Sequence, residues 1–237
     1  PAAARESDVT FAPGAHLRFE HLTIDDGLSQ NAGLALLQDS QGYLWIGTQD
    51  GLNRYDGYTI TQFKHDPDNP QTISANSIIA LYEDVDGFLW VGTWGGGLNR
   101  LDPVTGVFTR YTTDPANPAS LGHPIVTDIF QDETGALWVA TLGGLEKFDP
   151  ATGAFTHFRH DSQDPASLSS DAISVIVPAA DGKLWVGTGA FGEPGAGLNL
   201  FDPATGSAQR FEQTSECLAS PNISDILPDS QGNLWIA

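Results

Sequence analysis

Gly87-Phe88-Leu89-Trp90-Val91-Gly92-Thr93 is the stretch that decides the fold, because its pattern returns four more times in a chain of 237 residues. The shared string is Gly-x-Leu-Trp-(Ile/Val)-(Gly/Ala), with its tryptophans at Trp45, Trp90, Trp138, Trp185 and Trp235, spaced 45, 48, 47 and 50 residues apart. A glycine precedes each by three positions: Gly42, Gly87, Gly135, Gly182 and Gly232. Four copies run on to Thr48, Thr93, Thr141 and Thr188. A fixed period of this length marks a repeat architecture.

Each period divides into four short strand-like runs. In the second unit they are Ser77–Tyr82, Phe88–Thr93, Leu98–Leu101 and Val107–Tyr111. They are separated by the turns Asp84-Val85-Asp86-Gly87, Gly95-Gly96-Gly97 and Asp102-Pro103-Val104-Thr105-Gly106. Alternating runs bounded by Gly, Pro and Asp clusters read as hairpin-linked strands. Four antiparallel strands per unit of about 45 residues is the pattern of a propeller blade. No run holds a helical period over ten residues, so a helical solenoid is excluded. The fold class is therefore all-β, with four complete β-propeller blades and a partial fifth.

Most of the recurring residues have structural duties. A tryptophan on the second strand of every unit is placed for packing between blades, and the glycine before it supplies the positive φ of a tight turn. Asp56, Asp102, Asp149 and Asp202 open turns between the third and fourth strands, three of them reading Asp-Pro-x-Thr-Gly. That is type I turn chemistry. Asp39, Asp84, Asp132 and Asp229 stand six residues before a tryptophan. Asx-turns account for these carboxylates without calcium, so no metal site and no cofactor is assigned.

Composition narrows the partners. Ten basic against 30 acidic residues give a formal charge of −20. Such a surface repels phosphate backbones and anionic lipid, so no nucleic-acid partner is expected and any membrane attachment would lie outside this chain. Cys217 is the single cysteine, which rules out an intrachain disulfide and a cysteine-based metal site. No apolar run approaches the roughly 18 residues of a membrane span. The opening Pro1-Ala2-Ala3-Ala4-Arg5 contains no signal-peptide core.

The segment Phe19-Glu20-His21-Leu22-Thr23-Ile24-Asp25-Asp26-Gly27-Leu28-Ser29-Gln30-Asn31 resembles the opening of the two-component regulator propeller family. The Asp-x-x-Gly-x-Leu-Trp-(Ile/Val)-Gly-Thr segments, and Gly-Leu-Asn followed by an Asp-Pro turn, resemble its repeat unit. The likeness runs from Leu17 to the end, leaving 1–16 as an N-terminal extension. It implies the periplasmic, ligand-sensing part of a bacterial receptor whose output is a histidine kinase or a diguanylate cyclase. Family members carry many more blades, so this chain reads as a fragment of a larger propeller. The alternative is a small closed ring, with Thr10–Thr23 supplying the strands that the fifth unit lacks.

In a propeller, function concentrates in loops at one end of the channel: here the links between units and the turns after Gly-Thr. Asn31, Asn76, His123, Asp171 and Asn222 precede the five first strands, in five slots read as equivalent. Trp94 is the one tryptophan outside the repeat frame, beside three glycines on a turn, placed to stack on a flat ligand. Together Asn31, Asn76, Trp94, His123, Asp171 and Asn222 form the expected ligand-binding set. The fourth unit adds an insertion, Ala190-Phe191-Gly192-Glu193-Pro194-Gly195. No His-x-x-x-His spacing and no Ser/His/Asp set is present, so no catalytic residue is assigned. The expected partner is a small molecule or oligosaccharide, with a homodimer as a further expectation. A propeller lyase or glycosidase, and a pure dimerisation scaffold, are the alternatives, because propellers host all three.

Overall fold

In the computed structural model, which describes residues 21–211 and 218–237, the strand order follows the repeat. Each complete unit is a four-stranded antiparallel meander, and the last unit is a two-stranded sheet. Blade 1 is β1 (Gly33–Gln38), β2 (Leu44–Thr48), β3 (Gly51–Tyr55) and β4 (Ile60–Phe63). Blade 2 comprises β5 (Ile78–Glu83), β6 (Leu89–Thr93), β7 (Leu98–Leu101) and β8 (Phe108–Tyr111). Blade 3 is β9 (Val126–Gln131), β10 (Leu137–Thr141), β11 (Gly144–Asp149) and β12 (Ala154–Phe158). Blade 4 is β13 (Ile173–Pro178), β14 (Leu184–Thr188), β15 (Leu198–Asp202) and β16 (Ser207–Phe211), and β17 (Ile226–Pro228) with β18 (Leu234–Ile236) form blade 5. The only helical segments among the described residues are two single 3-10 turns, Ile24–Asp26 and Ala180–Gly182. Thr10–Glu20, most of the segment expected to close a small ring, lies outside the described residues, as do the extension 1–16 and Cys217.

The innermost strands β1, β5, β9, β13 and β17 lie side by side in chain order. Between them the blades stack face to face, and the alternation of each second strand sets the core. Trp45 points forward onto Leu89 and Val91 of the next blade, together with Leu52, Ile73, Ile78 and Phe108. Trp90 meets Leu137 and Val139, and Trp138 meets Leu184 and Val186, in the same way. Trp185 joins Ile223, Ile226 and Leu234. Trp235 has no blade ahead of it among the described residues and is 64% exposed. At the other end Leu36 is 69% exposed, whereas its counterpart Leu81 is packed between blades 1 and 2. In blades 1, 2 and 4 a glycine two residues after the tryptophan permits this stacking, and blade 3 has the small Ala140 there. A Cβ on Gly92 would come within 2.8 Å of the Val126 side chain and carbonyl.

Polar groups hold the frame in register. Asp39 Oδ1 accepts from the Gln41 and Tyr43 N–H groups, closing the Asx-turn, while Oδ2 accepts the indole N–H of Trp45 at 2.8 Å. Asp84, Asp132 and Asp229 do the same for Trp90, Trp138 and Trp235. The carboxylate ring six residues before the tryptophans is thus an anchor for the indoles. The turn glycines Gly42, Gly87, Gly135, Gly182 and Gly232 all have positive φ, between 71° and 90°. Each motif threonine closes the next turn by donating to a glycine carbonyl. Thr188 does so across the blade 4 insertion, reaching Gly197 at 2.7 Å.

Candidate ligand-binding rim

Antiparallel connectivity places the links between blades and the turns after the second strands at one end of the stack. The residues expected from the sequence to bind a ligand lie on this face. Strand register shows where each of them falls. Trp90 pairs with Tyr82, Trp138 with Phe130, and Trp235 with Leu227. Counting back from these pairs, the counterparts of Asn76 are Asn31 and Asp171, but in blades 3 and 5 they are Pro124 and Pro221. The backbone agrees: the Asn76 carbonyl accepts from Gly51 N–H, the Pro124 carbonyl from Gly97 and the Pro221 carbonyl from Gly197, each at 2.8 Å. The five slots are therefore not equivalent. His123 stands one residue ahead of the slot and Asn222 one residue behind it.

The slot residues are occupied with the chain itself. Asn76 Oδ1 accepts from His65 N–H at 2.7 Å and Asp171 Oδ1 from His160 N–H at 2.6 Å, each closing its inter-blade link into a ring. Within those links His65 Nδ1 contacts the Ile73 carbonyl and His160 Nδ1 the Leu168 carbonyl. Asn31 Oδ1 accepts from Ile24 N–H, and His123 Nδ1 accepts from Ile125 N–H. Asn222 Oδ1 accepts from Gly195 N–H, pinning the blade 4 insertion to blade 5. Buried or half-buried N–H groups need such acceptors, and Asn and Asp before a strand are well suited to supply them.

Trp94 is different. Its backbone is fixed by Trp94 N–H to the Ser77 carbonyl and by a bridge to Ile125, and its ring is 42% exposed. The Phe191 ring meets it edge to face, with centroids 4.9 Å apart and planes at 79°. Phe191 comes from the blade 4 insertion, so the pair reaches from blade 2 to blade 4 over the short Leu142-Gly143 turn of blade 3. Phe191 is 59% exposed and holds φ at 53°, a region that bulky side chains rarely enter. The sequence displayed the insertion but gave no signal that its phenylalanine would meet Trp94.

Among the described residues no group of three or more His, Cys, Asp or Glu side chains is positioned to hold a metal ion. No helix among them is long and apolar enough to cross a membrane.

A stack of four-stranded meanders with their tryptophans between blades defines the chain as a β-propeller. The profile of the two-component regulator propeller family matches residues 27–50, 72–95, 167–190 and 217–237, so four of the five repeats match that family's repeat. The extracellular domain of a proposed hybrid two-component system from B. thetaiotaomicron is 31% identical, with a TM-score of 0.78 over 92% of this chain and 29% of that one. The extracellular domain of a proposed one-component system from the same organism is 26% identical, with a TM-score of 0.71 over 94% of this chain and 31% of that one. Histidine kinase P4 of Formosa agariphila is 40% identical over 63 residues, which is 27% of this chain and 5% of that protein. The chain thus spans less than a third of each of these relatives.

Proposed function

We propose that this propeller is a non-enzymatic, ligand-sensing module on the extracytoplasmic side of a bacterial two-component-type receptor, periplasmic in a Gram-negative cell. The observation that carries the reading is the exposed Trp94–Phe191 pair, which brings two blades together over a third at the rim of the channel. Aromatic faces of this kind stack on flat, weakly polar surfaces such as sugar rings. A small molecule or an oligosaccharide is therefore the proposed ligand. The likeness to extracellular domains of two-component systems supports the signalling role. The hydrogen-bonding duties of Asn31, Asn76, Asp171 and Asn222 assign them to shaping the rim, with Trp94 and Phe191 as the contact surface.

The test is a thermal-shift screen of the purified domain against plant and bacterial oligosaccharides, since a ligand that binds only the native state raises its midpoint. The expected result is a stabilising ligand whose effect falls about tenfold in affinity in Trp94→Ala and in Phe191→Gly. Mass spectrometry of the incubated ligand should show no product. Turnover would replace the sensor by a propeller enzyme, and binding indifferent to both substitutions would remove the rim from the reading.

A further inference from the structure

The opposite end of the stack carries a concave volume that the rim reading does not use. A cavity of about 490 Å³ lies between blades 1 and 2, among the turns that join first to second and third to fourth strands. Its volume is in the range of small-ligand pockets. Arg54 lines it. The guanidinium lies 4.8 Å from the centroid of the Tyr43 ring and 5.7 Å from that of Trp45. It has no hydrogen-bond or ion-pair partner among the described residues. The guanidinium sits beside the rings with its N–H groups unpartnered, and such a fork of donors matches a carboxylate in bidentate geometry.

The acidic neighbours divide into two kinds. Asp39 is spent on its turn and on the Trp45 indole, and Glu83 on the Ser40 N–H and hydroxyl, both at 2.7 Å. These two build the wall. Asp86 and Gln41 also line the cavity, and their side chains accept no hydrogen bond from any described residue. An open cation beside an open carboxylate and an open amide is complementary to one negative charge flanked by hydrogen-bond donors. A polyanion is disfavoured by the formal charge of −20.

We propose that the groove between blades 1 and 2 is a second binding site, for a small carboxylate that also bears hydroxyl or ammonium donors, with Arg54 holding the carboxylate and Asp86 and Gln41 the donors. The site stands on other residues than the rim, so neither proposal depends on the other.

The experiment titrates the protein with gluconate and L-serine, followed by amide NMR shifts, with sorbitol as the carboxylate-free counterpart of gluconate. At least one of the two acids should bind saturably, with Kd below about 10 mM, and shift residues 39–45 and 83–89. Sorbitol should not. Arg54→Leu copies Leu200, which occupies the same place opposite its tryptophan in blade 4. It should keep the dispersed spectrum and weaken binding at least tenfold, and Asp86→Asn should weaken it about threefold. Should Arg54→Leu fail to fold, Arg54→Lys, which keeps the charge but not the fork, is expected to weaken binding in its place. Saturable binding by neither acid, equal binding of sorbitol, or affinity unmoved by substitution of Arg54 would overturn the proposal.

Discussion

Blade 3 and the other complete blades repeat one pattern of apolar packing and differ in their polar seams. In blade 1, Asn53 Oδ1 accepts from Ser29 N–H and its amide donates to the Ser29 hydroxyl and the Ile46 carbonyl. Asn99 with Ser74, and Asn199 with Ser169, repeat the arrangement in blades 2 and 4. Blade 3 has Glu146 in place of the asparagine and Gly122 in place of the serine. The Glu146 carboxylate is fully buried, accepts from Gly122 N–H and meets His157 Nδ1 at 3.0 Å. A second exchange lies on the innermost strand, where Asp128 stands in the register of Ala35, Ala80 and Val175. Its oxygens accept from Ile129 N–H and, across the blade boundary, from Ile176 N–H at 2.7 Å. Blade 3 thus places a buried carboxylate, Glu146, and a half-buried one, Asp128, at positions where the other complete blades are neutral, and its motif is the one that the family profile passes over. A repeat tolerates a charge at its seam when the partner position changes with it.

The largest expected effect tests the shared half of the comparison. Trp138→Ala and Trp45→Ala should each cost about 3–5 kcal/mol, because both indoles are essentially unexposed and both are anchored by a carboxylate. Chemical denaturation measures both. A much smaller loss at Trp138 would mean that blade 3 is loosely packed.

Next comes the differing half. A Cβ on Gly122 would collide with the Glu146 carboxylate and crowd His157 and Arg159. Gly122→Ser should therefore cost about 1–3 kcal/mol, as overpacking does. Gly122→Ser with Glu146→Asn rebuilds the neutral pair of the other blades and should recover most of it. A double-mutant cycle with no coupling between the positions would break the argument that they exchange together.

The pH dependence of stability separates the blades further. Burial pushes the Asp128 carboxyl up to about 7, against the pull of its two N–H donors, and the Asp225 carboxylate adds to the rise. A folded value above the unfolded one means that the stabilisation is complete below the unfolded value. It drains away as pH rises towards about 7, where the folded carboxyl ionises. Thermal melts from pH 4 to 8 should therefore fall more steeply for the wild type than for Asp128→Ala. The difference should be on the order of 1–2 kcal/mol, reduced from the full shift because the residue keeps some solvent contact. Identical slopes would remove Asp128 as a source of pH dependence. Burial raises the Glu146 carboxyl too, opposed by Gly122 N–H, His157 and Arg159, so Glu146→Gln should act in the same sense.

The smallest effect belongs to the rim. Trp94→Ala should cost less than about 1 kcal/mol, since the ring is substantially exposed and belongs to no blade core. A loss equal to that of Trp138→Ala would make Trp94 a structural residue and weaken its proposed role in binding.

By itself the sequence determined the blade. Its period, its four runs per unit, the turn glycines and the place of the tryptophans follow from spacing and alternation, because strand geometry has a period of two and tight turns demand particular residues. The Asx-turns at Asp39, Asp84, Asp132 and Asp229 were legible for the same local reason, although their hold on the indoles was not. Only the tertiary structure decided what depends on register and on neighbours. Taking the polar residue just before each first strand put His123 and Asn222 in the same slot as Asn76; strand pairing puts Pro124 and Pro221 there. The meeting of Trp94 with Phe191, 97 positions later in the chain, and the open edge of Arg54 arise from how blades stack. The exchange of Asn and Ser for Glu146 and Gly122 shows in the sequence as unrelated changes. It becomes one change only when the chain folds and brings the third strand against the link that precedes its own blade.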